Sequence, residues 1–90
     1  MQVTYEGLTV EMDIDALDSW DLMGLALDSE GDPLGDARFV RAAMETSMDE
    51  ANQKQLIAHC CGKTSAIIST FYGLMRNAGA AKNSSSLPPA

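Results

Sequence analysis

The hydrophobic period of the chain changes near residue 13, and that change constrains the fold more than any other feature. Val3, Tyr5, Leu8, Val10 and Met12 are apolar and alternate with Gln2, Thr4, Thr9 and Glu11. This period of two is broken at Glu6-Gly7, which reads as a hairpin turning there, with Gly7 supplying the positive φ of a tight turn. Beyond it the apolar spacing becomes helical. Two strands alone are marginal in water, so their apolar side must pack on helices or on another copy. The expected class is α+β, mainly α: an N-terminal β-hairpin, about four short amphipathic helices and a disordered C-terminal tail.

The helical pattern divides at recognisable breaks. Residues 15–28 read as a first helix, with Ala16, Trp20, Met23 and Leu27 on one stripe and Asp18, Asp21 and Asp28 opposite. Leu25 falls among those acids and is expected to be exposed. Asp32 followed by Pro33 reads as a cap and first position of a second helix running to about Thr46. Ala37, Val40, Ala43 and Met44 share its inner face, Arg38, Arg41 and Glu45 its outer one, and Phe39 lies to one side. Ser47 with Glu50 reads as the capping box of a third helix, which Gly62 ends in a left-handed conformation. Thr64 caps a fourth helix over residues 65–77, with Ile67, Ile68, Phe71, Leu74 and Met75 as its apolar face. Gly79 is expected to stop it. Residues 1–79 then form one domain, and 80–90 a Ser/Pro-rich tail with too few large apolar residues to offset its ordering entropy.

Charge narrows the partners. Thirteen Asp and Glu against six Lys and Arg give a formal net charge of −7. Phosphate contacts release counterions only where cations meet them, so binding of nucleic acid or of an anionic membrane is disfavoured. A basic protein partner is allowed. No apolar stretch approaches the ~20 residues of a membrane span. The first five residues show neither the basic nor the apolar region of a secretory signal.

Residue clusters of chemically active types lack the spacing that chemistry requires. Gly62-Lys63-Thr64 matches the end of a phosphate-binding loop, but Ile57 stands where the motif needs its first glycine. His59, Cys60 and Cys61 are consecutive, and consecutive helical residues do not converge on one ion or form a Cys–His pair. Adjacent cysteines on a helix also cannot form an ordinary disulfide, which fits a reducing compartment. Asp13, Asp15, Asp18 and Asp21 lack the glycine of a calcium loop and read as a solvated helix start, or as an acidic patch for a basic partner. No cofactor, metal or catalytic residue is expected. Met23, Met44, Met48 and Met75 suit either a loosely packed core or an adaptable binding surface.

The order of features carries a resemblance. A strand pair, Val3-Thr4-Tyr5-Glu6-Gly7-Leu8-Thr9-Val10, precedes an acidic helix with a central tryptophan, Leu17-Asp18-Ser19-Trp20-Asp21-Leu22-Met23. Gly31-Asp32-Pro33-Leu34 opens the next helix, and Lys82-Asn83-Ser84-Ser85-Ser86 follows the last. This order resembles the tail assembly chaperones of siphophages and related prophages. The resemblance implies a protein that binds the long, hydrophobic, helical tape measure protein and keeps it soluble before the tail tube polymerises. It also implies a longer frameshifted product that recruits tail tube subunits, work in the host cytoplasm, and absence from the finished virion. Partner contacts are expected at Asp18, Asp21, Leu25, Asp28 and Phe39, with homo-oligomers formed through the hairpin edge or the fourth helix. The competing expectation is an acidic DNA mimic that inhibits a host nuclease or repressor. Against it, the acids cluster before Asp36 while the second half is nearly neutral.

Overall fold

The structure, a computed structural model, describes residues 1–32 and 34–86. Strands β1 (Gln2–Tyr5) and β2 (Leu8–Glu11) form an antiparallel hairpin with Val3 opposite Val10 and Tyr5 opposite Leu8. Glu6 at φ 48° and Gly7 at φ 82° make the turn, both in the left-handed region that a tight two-residue connection demands. Alternation sends Val3, Leu8 and Val10 inward, where they are buried, and leaves the Thr4 and Thr9 hydroxyls 2.8 Å apart on the outer face. The edge strands are partly capped. Asn77 Nδ2 donates to the Thr4 carbonyl at 2.8 Å, and the Glu11 amide donates to Asn52 Oδ1 at 3.0 Å.

Four helices follow: α1 (Trp20–Asp28), α2 (Gly35–Ser47), α3 (Glu50–His59) and α4 (Thr64–Ser86). The hairpin lies with β1 against α4 and β2 against α3, and α2 packs between α1 and α4. The core joins the hairpin's inner face to Met12, Val40, Ala43, Leu56, Phe71 and Leu74. Val40, Ala43 and Met44 come from the predicted face of α2, and Phe71 and Leu74 from that of α4. A 3-10 turn, Ile14–Leu17, bridges hairpin and helices, and the Asp13 amide donates to the Ser47 carbonyl at 2.8 Å to fix it.

Several boundaries differ from the pattern, each because a polar side chain caps elsewhere. The expected first helix is split, since Asp13 caps the 3-10 turn and Ser19, in an extended conformation, accepts from the Leu22 amide to start α1 afresh. Asp32 does not cap α2 directly. Its Oδ1 accepts from the Leu34 amide at 2.9 Å and its Oδ2 pairs with Arg38 at 2.6 Å, so the helix begins at Gly35; Pro33 lies outside the described residues. Ser47 is the last residue of α2, donating its hydroxyl to the Ala43 carbonyl. Asp49 caps α3 instead, accepting from the Asn52 amide at 2.8 Å, while Glu50 pairs with Lys54 on the surface.

The third helix ends in a six-residue motif. The Gly62 amide donates to the Ile57 carbonyl and the Cys61 amide to that of Ala58. Cys61, at φ 55°, shares with Gly62 the left-handed stop expected of the glycine alone. The fourth helix continues past Gly79. Ala78 is fully buried beneath it and Ala80 and Ala81 are strong helix formers, so nothing local ends it there. Of the expected tail 80–90, residues 80–86 belong to α4 and residues 87–90 lie outside the described residues.

Candidate functional site

Helix α1 has two apolar sides, and the fold uses the narrower one. At 100° per residue Leu22, Leu25 and Ser29 share a side, and Trp20, Met23 and Leu27 share the opposite one. The approach of α1 to α2 decides between them. Ser29 meets the start of α2 so closely that a Cβ at Gly35 would come to 2.3 Å from its carbonyl oxygen. The side bearing Ser29 must face inward, and it takes Leu22 and Leu25 with it. Leu22 is buried and Leu25 half-buried.

The other side faces water. Trp20 is 85% exposed, Leu27 65% and Met23 56%, and Leu34, just beyond the helix, is 61% exposed. Trp20, Met23 and Leu27 sit at i, i+3 and i+7, a stripe of roughly 10 Å along the axis at 1.5 Å per residue. A lone exposed leucine is ordinary; a contiguous large apolar stripe is the mark of an interaction surface. Gly24 lies within the stripe, with nothing within 4 Å of where its Cβ would stand.

The acids expected at a partner site sit around this stripe. Asp21 and Asp28 occupy one flank of α1, both exposed, and exposed Asp18 lies just before it. Among the described residues neither Asp21 nor Asp28 has an ion-pair partner. The imbalance extends along the chain. Of thirteen acids only Glu45, Asp49 and Glu50 follow Asp36, leaving ten at or before it, and all six Lys and Arg come after it.

Two expected anchors fall elsewhere. Leu25 is on the inner side of α1, for the reason given above. Phe39 is half-buried and stacks on Tyr72, with ring centroids 6.4 Å apart and planes inclined by 15°. The Tyr72 hydroxyl donates to Asp36 Oδ1 at 3.2 Å. Burial, then the Asp36 charge and this hydrogen bond, raise the Tyr72 hydroxyl above its ordinary value of 10.0. Phe39 thus joins α2 to α4 within one chain. The stripe residues are visible in sequence as a set; the missing signal is that Ser29, one turn beyond Leu25, locks the helix's other side onto α2.

The remaining candidates separate in space. Cys60 is buried and its thiol donates to Thr70 Oγ1 at 3.4 Å, whereas Cys61 is exposed. His59 is exposed. Among the described residues no group of three His, Cys, Asp or Glu could hold a metal ion, and no helix is long and apolar enough to cross a membrane. A cleft of about 430 Å³ opens between α2, α3 and α4, lined by Val40, Arg41, Met44, Ile57, Ile67 and Ile68. Fold and surface together define an acidic α+β module with one outward apolar helix stripe. Compared with family models, curated proteins and solved structures, the chain matches none.

Proposed function

We propose that this chain is a tail assembly chaperone of a long-tailed phage or prophage, which binds the tape measure protein and keeps it soluble until the tail tube polymerises around it. The observation that carries the reading is the Trp20–Met23–Leu27 stripe, held in water by a helix whose other side is committed to the core. Such a stripe matches an apolar helical client. The acids around it keep a free chaperone soluble, and Met23 adapts to an irregular surface.

Magnitudes fit many weak contacts. Each large apolar side chain withdrawn from water contributes ~1.5–3 kcal/mol. Three of them, together about 4.5–9 kcal/mol, reach only the lower part of the ~4–15 kcal/mol of freedom lost on association. Single copies therefore bind weakly, and an array of copies on one tape measure supplies avidity. Oligomers of the chain, and a longer frameshifted product that brings tail tube subunits, complete this proposal. The DNA-mimic alternative has no use for an apolar stripe amid its carboxylates.

Co-expression with a tape measure protein of a long-tailed phage tests the proposal. The expected result is a soluble complex that is lost when Trp20, Met23 and Leu27 are all changed to Ser. A tape measure protein equally insoluble with and without the chain would overturn it, and competition with DNA for a nuclease or repressor would favour the mimic.

A further inference from the structure

The stripe on α1 carries information about its occupant as well as its existence. We infer that it accepts an amphipathic helix whose apolar stripe is flanked by Lys or Arg, and that it rejects a second copy of this chain. The inference deepens the docking reading above and rests on it.

Three observations point this way. The first is the charge beside the stripe. Asp21 and Asp28 lie on one flank, seven residues apart, with no ion-pair partner among the described residues. A cation on an occupying helix would neutralise them as the apolar faces close and exclude water. Asp28 also stands in the last turn of α1, where the helix dipole disfavours an acid, and that turn holds no basic residue. Its charge has no use in stabilising α1.

The second observation excludes self-pairing through this face. Two copies laid antiparallel stripe to stripe would set Asp21 and Asp28 against the same acids. A parallel arrangement would still join two segments with ten acids each and no Lys or Arg up to residue 36. Like charges brought together in this way discriminate against the wrong partner.

The third is Gly24. It occupies the middle of a helix, where glycine is unfavourable, yet its φ is not left-handed and no neighbour lies where its Cβ would be. Nothing within the chain requires it. A partner helix lying across the stripe would meet backbone there and approach closely, as small residues at helix interfaces allow.

The test uses the full chain and two labelled synthetic peptides of about 20 residues, long enough to fold on contact. Both carry the same Leu stripe; one is flanked by Lys, the other by Glu. Fluorescence anisotropy should show the Lys peptide binding at least about tenfold more tightly, a difference that shrinks as salt rises. The D21K/D28K variant should reverse the preference. Because charge changes can also disturb folding, Asp28→Lys alone provides a second variant, which the dipole favours; it should cut the preference several-fold while the chain melts no earlier. Equal affinity for both peptides, or a preference that survives D21K/D28K, would overturn the inference. So would a Trp20 shielded in the chain alone and freed on dilution, since a second copy would then cover the stripe. If a tape measure protein fails to bind while the Lys peptide discriminates, the phage assignment falls and this inference stands. If the tape measure protein binds and the peptides do not discriminate, the reverse holds.

Discussion

Gly24 and Gly35 lie on two neighbouring helices and answer opposite demands. At Gly35 a Cβ would strike the backbone of Ser29, which cannot swing aside as a side-chain tip can. Gly35→Ala should lower stability by ~1–3 kcal/mol in urea unfolding, the usual range for overpacking. Gly24 faces open space in a helix interior, so Gly24→Ala should raise stability by ~0.5–1 kcal/mol in the same measurement. Trp20→Ser, at a side chain almost fully in water, should change stability by no more than ~0.5 kcal/mol. A core tryptophan would lose several times that. Two ionisable groups carry pH signatures. Asp49 is held below its ordinary 3.8 by hydrogen bonds from the Asn52 amide and side chain. A depressed folded pKa stabilises above the unfolded value, so this contribution is complete above about pH 4 and fades as acid titrates Asp49 below it. Tyr72, raised above 10.0, works in the opposite sense: its contribution is whole below pH 10 and is lost at higher alkalinity as the hydroxyl ionises. Urea midpoints measured across pH in wild type, Asp49→Asn and Tyr72→Phe should show these two losses disappear in the respective variants.

The elements show what sequence patterning can and cannot reach. The hairpin and its turn are legible because alternation has a period of two and Gly7 punctuates it. The inner faces of α2 and α4 are legible because each helix is long enough for one apolar stripe to dominate. Helix α1 is not, because Trp20–Asp28 is little more than two turns with an apolar set on either side. Only the tertiary approach of Ser29 to Gly35 selects one of them. Caps mislead for a related reason. Ser47 and Asp49 both qualify as starts of α3, and the choice depends on Asn52, which binds Asp49 while it also accepts from Glu11 of the hairpin. The candidate site is therefore half visible: its acids Asp18, Asp21 and Asp28 stand out in the pattern, but the same pattern points to Leu25 and Phe39 as anchors. At the end of α3, Cys61 holds a left-handed conformation that suits glycine. Cys61→Gly should raise the urea midpoint by an amount equivalent to ~0.5–1 kcal/mol, since glycine relieves that strain.

For the whole molecule, asymmetry is the organising property. The chain up to residue 36 carries ten acids and, on α1, the outward stripe; every Lys and Arg comes later, on or beyond α2. A chaperone that must stay soluble alone, yet close on an apolar client, needs charge and apolar surface at the same place. The proposed function requires the α1 stripe to be free in the isolated chain and covered when a client binds. Trp20 is the chain's only tryptophan, so acrylamide quenching of its fluorescence reads that stripe alone. Quenching should be close to that of a fully hydrated tryptophan in the dilute chain and should fall several-fold when the tape measure protein is added. A Trp20 already protected from acrylamide in the dilute chain, or equally quenched with and without a bound client, would show that the stripe does not receive the client.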